Sequence, residues 1–110
     1  MANAKTSNGY YEKVVVDSAP STGGYFSQPV GQRKRGGDIS KLCVAVRGTG
    51  TWTPMLQFTM QGDADWTDST EVLKIGDVKE INTNVAGLLW RVGVKQGGFS
   101  SGSAIISLNW

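Results

Sequence analysis

Thr51-Trp52-Thr53-Pro54-Met55-Leu56-Gln57-Phe58-Thr59-Met60-Gln61 is the stretch that decides how this chain is read. Trp52, Pro54, Leu56, Phe58 and Met60 alternate with Thr51, Thr53, Met55, Gln57, Thr59 and Gln61, and only Met55 breaks the polar set. A period of two places alternate side chains on opposite faces of an extended backbone, so the stretch reads as a strand with one buried face. Upstream, Leu42, Val44 and Val46 share a face in the same way. Arg47-Gly48-Thr49-Gly50 lies between the two runs and supplies turn glycines, which predicts a hairpin of antiparallel neighbours. Downstream, Leu88, Trp90, Val92 and Val94 stand opposite Leu89, Arg91, Gly93 and Lys95. Past the Gln96–Gly102 turn, Ala104, Ile106, Leu108 and Trp110 face inward, opposite Ser103, Ile105, Ser107 and Asn109.

Working outward, Glu12–Val16 reads as a short strand because three consecutive β-branched valines favour extended backbone. Val78–Thr83 reads as another, after turns at 61–65 and Gly76-Asp77. Met1–Tyr11 is polar and aperiodic, as expected of an extended arm that orders on docking. Residues 17–38 hold Ala19-Pro20, Gly23-Gly24, Gln28-Pro29 and Gly36-Gly37, and predict a long irregular loop, a feature that usually signals function or a partner. Tyr25, Phe26 and Val30 could pin its middle to the core or form a short strand there. The count of seven or eight short strands predicts an all-β fold: a single antiparallel β-sandwich over 12–110, jelly-roll-like or immunoglobulin-like, with a flexible N-terminal arm over 1–11.

At 110 residues the chain suits one domain, and 39% hydrophobic residues with 15 glycines fit short strands joined by tight turns. No signal-peptide pattern and no apolar run of about 20 residues predicts export or a membrane anchor. Cys43, the sole cysteine, has no internal disulfide partner and is expected to be a small buried side chain, consistent with folding in a reducing cytoplasm. The net charge of +2 is too small to indicate a nucleic-acid binder. That charge is uneven: residues 1–37 carry five basic and two acidic side chains, and residues 38–110 carry six and seven.

Histidine is absent, which removes the commonest general base and zinc ligand, and no phosphate-binding glycine motif precedes a helix. No catalytic residue, cofactor or metal site is expected. Asp63, Asp65 and Asp68 lie close together, and paired acids can hydrolyse glycosides or collect calcium. No EF-hand spacing follows Asp63, so the trio reads as a solvated turn. Arg33-Lys34-Arg35 is the densest charge in the chain, either a solvated loop or a clamp on an acidic protein surface or a phosphate backbone. Trp52, Phe58, Trp90 and Trp110 fall on apolar faces, whereas Tyr10, Tyr11, Tyr25, Phe26 and Trp66 fall in arms and turns, where aromatic anchors belong. The expected partner-binding set is Tyr10, Tyr11, Tyr25, Phe26, Arg33, Lys34 and Arg35.

From about Leu42 to Trp110 the chain resembles small β-sandwich structural proteins of tailed bacteriophages, most of all capsid decoration (cement) proteins. Val44-Ala45-Val46-Arg47-Gly48-Thr49-Gly50-Thr51-Trp52, Gly62-Asp63-Ala64-Asp65-Trp66-Thr67 and Asn84-Val85-Ala86-Gly87-Leu88-Leu89-Trp90-Arg91-Val92 carry the resemblance. It implies a non-enzymatic virion protein, made in the host cytoplasm, that joins the capsid surface as a homo-oligomer, commonly a trimer, and bridges major capsid protein subunits. No nucleic-acid or membrane partner is expected, the first because the net charge is small and the second because no apolar run is long enough to span a bilayer. The rivals are a tail or neck subunit of the virion, and a carbohydrate-binding module in which Trp66 or Tyr25 stacks on a sugar while Asp63 or Asp65 accepts hydroxyl hydrogen bonds.

Overall fold

The alternation read from the sequence becomes a burial pattern: Val14, Val16, Leu42, Val44, Val46, Leu56, Val92, Val94, Ala104, Ile106 and Leu108 are fully buried. The computed structural model describes residues 3–7, 11–31, 41–60, 65–82 and 88–110. Among the described residues ten strands form: β1 (Ala4–Ser7), β2 (Tyr11–Val16), β3 (Tyr25–Phe26), β4 (Val30–Gly31), β5 (Lys41–Trp52), β6 (Met55–Met60), β7 (Thr67–Asp68), β8 (Val78–Asn82), β9 (Leu88–Val94) and β10 (Phe99–Asn109). The first sheet has the order β1-β2-β10-β5-β8. The second has the order β3-β9-β6-β7, with β4 also on β9, and every pairing is antiparallel. The core lies between them, and each buried aliphatic side chain adds about 1.5–3 kcal/mol of burial free energy.

The chain is an antiparallel β-sandwich, and its connections choose between the two expected topologies. From β2 onward it passes to the opposite sheet at almost every step, to β3 and β4, then β5, β6 and β7, β8, β9 and β10. That swapping is the jelly-roll arrangement; an immunoglobulin sandwich keeps several consecutive strands paired in one sheet.

The predicted hairpin at 47–50 is not formed. β5 runs unbroken from Lys41 to Trp52 beside β10, and β5 and β6 lie in different sheets. Gly50 pairs with Gly102, both with φ near +100°, and a Cβ on Gly50 would lie 2.5 Å from the Gly102 Cα. These glycines serve a close approach of two backbones within a sheet, not a turn. The crossing comes at Thr53-Pro54. Trp52 (8% exposed) and the buried Pro54 still face inward there, so the period of two survives the change of sheet.

Within the expected arm, Ala4–Ser7 pair with Glu12–Val15 as an edge strand. The polar alternation of that segment suits an edge and hid the strand from periodicity. The long loop is interrupted by β3 and β4, both on β9, and its remainder beyond Gly31 lies outside the described residues. Cys43 is half-buried rather than buried: Leu42 and Val44 take the core face, so the residue between them points outward.

Candidate functional site

The outward side chains of the second sheet are not simply solvated. On β9 the inward set Trp90, Val92 and Val94 leaves Arg91 and Gly93 outside, and β6 puts Gln57 and Thr59 outside beside them. Gln57 is nonetheless 6% exposed and Thr59 4% exposed. Their cover is built around Arg91. Its guanidinium carbon lies 4.2 Å from the centroid of the Phe26 ring and 4.1 Å from that of Trp66, a cation held between two aromatic faces. Each such contact contributes about 0.5–2 kcal/mol.

Gly93 makes this arrangement possible. It stands opposite Phe26 in the β3–β9 register, and a Cβ there would lie 2.7 Å from the Phe26 Cα and 2.8 Å from its ring. With no side chain at 93, the Phe26 ring lies across β9 toward Arg91.

A hydrogen-bond chain runs sideways from the clamp. Arg91 Nε donates to Gln57 Oε1 at 2.9 Å, Gln57 Nε2 donates to Asp68 Oδ1 at 2.8 Å, and Lys95 Nζ donates to Asp68 Oδ2 at 2.9 Å. Thr59 Oγ1 donates to the Asp65 carbonyl at 2.5 Å, tying down the residue before Trp66. Hydrogen bonds from Lys95 and then Gln57 hold the Asp68 carboxyl below its ordinary pKa, and burial draws the Arg91 guanidinium below its own. Chemically the array is a cap whose polar groups satisfy one another. It presents no nucleophile paired with a base.

The other feature is a pole of the sandwich. The connections 53–54 and 95–98 join strands at one end, so the opposite strand ends gather at the other: Tyr11, Lys41, Asn82 and Asn109 in the first sheet, Gly31, Met60 and Leu88 in the second. The connections 8–10, 32–40, 61–64 and 83–87 all leave from this second pole and lie outside the described residues. Lys41, Leu42, Cys43, Glu80, Asn109 and Trp110 line a shallow hollow there of about 240 Å³.

Of the expected partner-binding residues, Tyr10, Arg33, Lys34 and Arg35 lie outside the described residues, as does Asp63. Tyr11 is half-buried at the second pole, opposite Asn109. Tyr25 is half-buried and packs against the core, with Lys5 Nζ 5.8 Å from its ring centroid. Phe26 is 8% exposed beneath Arg91, so most of its ring is unavailable as an exposed anchor. The structure joins Phe26 and Trp66 through Arg91, and engages both Asp68 oxygens with Gln57 and Lys95. Sequence reasoning assigned no role to Arg91, Gln57 or Lys95. The available signal was Arg91-Val92-Gly93, a long cation and a glycine on the same outward face.

No protein-family model and no curated protein sequence matches the chain. Among solved structures it is similar to the Drosophila melanogaster CENP-C cupin domain, at 11% identity and a TM-score of 0.43, over 94% of this chain and 61% of that one. It is similar also to Drosophila melanogaster CENP-C bound to CAL1, at 11% identity and a TM-score of 0.44, over 94% of this chain and 65% of that one. The chain thus spans less than two thirds of either, and these likenesses carry no function across.

Proposed function

We infer that this is a non-enzymatic structural protein of a virion, a capsid decoration (cement) protein that binds the assembled major capsid shell through the second pole of its sandwich. The carrying observation is the convergence on that pole of Tyr11, the Lys41–Trp110 hollow and the strand ends from which the connection holding Arg33-Lys34-Arg35 departs. A chain that combines a basic segment of sequence with a shallow, aromatic-edged hollow fits an acidic protein surface, where charge steers encounter and buried aromatics supply affinity. A rigid jelly roll presents such loops without a deep pocket, and repetition on a symmetric shell adds avidity. The absence of histidine and the self-satisfied polar array on the second sheet argue for binding over chemistry.

The test is co-sedimentation with expanded, undecorated capsids, comparing the intact chain with a variant carrying Arg33→Ala, Lys34→Ala and Arg35→Ala. Saturable binding at a fixed ratio to the major capsid protein, weakened by the triple change, supports the reading. Failure of the intact chain to bind moves the assignment to a tail or neck subunit.

One observation favours a second reading, a carbohydrate-binding module: the half-buried Trp66 ring lies on Arg91 near the exposed Asp68–Lys95 pair. Saccharide-dependent quenching of tryptophan fluorescence that Trp66→Ala removes would support it.

A further inference from the structure

One core-facing side chain of the first sheet is an acid. β2 turns Glu12, Val14 and Val16 inward, and Glu12 is only 2% exposed, level with Ser7 of β1 and Leu108 of β10. Carrying a carboxylate into a core costs free energy unless a donor meets it. The donor comes from the opposite sheet: the Gln28 backbone N–H donates to Glu12 Oε1 at 2.9 Å. Among the described residues this is the one side-chain hydrogen bond that ties a strand of the first sheet to the β3–β4 edge of the second.

Gln28 has that N–H to spare because the register on β9 shifts there. Tyr25 and Phe26 pair with Val94 and Gly93, and Ser27 N donates to the Val92 carbonyl at 2.7 Å. Val30 and Gly31 then pair with Trp90 and Leu89, so Gln28 and Pro29 together stand opposite the single residue Arg91, a β-bulge. A strand continued without the bulge would bring Pro29 opposite Trp90, the next place after Ser27 where the ladder needs an N–H, and proline has none. The bulge also changes the face that the strand presents. Residues four apart share a face in a regular strand. Here Phe26 lies against Arg91 on the outer face, whereas Val30, 5% exposed, joins the core.

We propose that Glu12 is a positioning residue whose carboxylate reaches across the sandwich, holds the Gln28-Pro29 bulge, and so keeps Phe26 in the outer cap while Val30 stays in the core. Its role is that of an acceptor. A bulge leaves one N–H outside the ladder, and an N–H turned toward a core needs a partner there. The same lock fixes Gly31, the last described residue before Arg33-Lys34-Arg35 in the sequence. The inference goes beyond the capsid reading and stands without it, because it is tested on the chain alone.

The experiment is amide hydrogen exchange by NMR on the whole chain, beside Glu12→Gln, which keeps an acceptor oxygen, and Glu12→Met, which keeps the length and loses the acceptor. In the unmodified chain the Gln28 amide should be protected although it lies outside the ladder. Glu12→Gln should retain that protection, and Glu12→Met should speed Gln28 exchange about tenfold or more, ahead of Val44 and Ile106 in the central strands. The Arg91 Nε–H signal, shifted by the rings on either side of it, should also move in Glu12→Met as Phe26 loosens. A Gln28 amide that exchanges at the unfolded-chain rate in the unmodified protein overturns the proposal with no variant needed. Equal acceleration of Gln28, Val44 and Ile106 in a folded Glu12→Met, or Glu12→Gln exchanging as fast as Glu12→Met, overturns it too.

Discussion

The two outer faces of the sandwich solve the same problem differently. On the second sheet, Arg91 lies between Phe26 and Trp66 and leads into Gln57, Asp68 and Lys95, so the face is roofed by its own side chains. On the first sheet, Val15, Ile105, Ala45 and Cys43 are only half-buried and carry no such roof among the described residues, and Val78 at its edge is exposed. A face that satisfies itself resists new partners, because docking there must displace contacts already made. A face left partly apolar gains by being covered. The contrast gives the second sheet the work of stiffening the fold and leaves the first the more open of the two faces among the described residues.

Breaking the roof should cost far more than altering the open face. Gly93→Val drives a branched side chain into the Phe26 backbone and ring, and should lower stability by about 3 kcal/mol in urea unfolding. Arg91→Ala removes both stacking contacts and leaves the nearly buried Gln57 without its donor, a loss of about 2 kcal/mol, little of it restored by Arg91→Lys. Acid sharpens the comparison further. Asp68 titrates below its ordinary value when folded, so its contribution is complete above the unfolded pKa and is lost as pH falls through the folded one. Urea midpoints of Asp68→Asn should therefore fall below those of the unmodified chain at neutral pH and converge with them in acid. On the open face, Ile105→Thr should change stability by only about 0.5 kcal/mol.

The sequence carries the strands well where one face is buried. Leu42–Val46, Leu88–Val94 and Ala104–Leu108 alternate as read, and each becomes a central strand. It misleads at Gly48 and Gly50, because glycine marks a close backbone approach as readily as a turn, and only the partner Gly102 distinguishes the two. The edge strand β1 has no apolar face to announce it. The roof of the second sheet was hidden for another reason: Phe26, Trp66, Gln57 and Arg91 sit on or beside four strands, and strand order is not written in periodicity. The apolar neighbours of Cys43 suggest burial when taken as a block, whereas their alternation puts its side chain on the outer face.

Hydrogen–deuterium exchange of the chain, alone and bound to expanded capsids, tests the central claim most directly. Docking through the second pole should add protection in Tyr11, Lys41–Cys43 and the strand ends around Asn82 and Leu88, with Phe26, Trp66 and Arg91 unchanged. Protection confined to the roofed face, with the second pole exchanging as in the unbound chain, would contradict it.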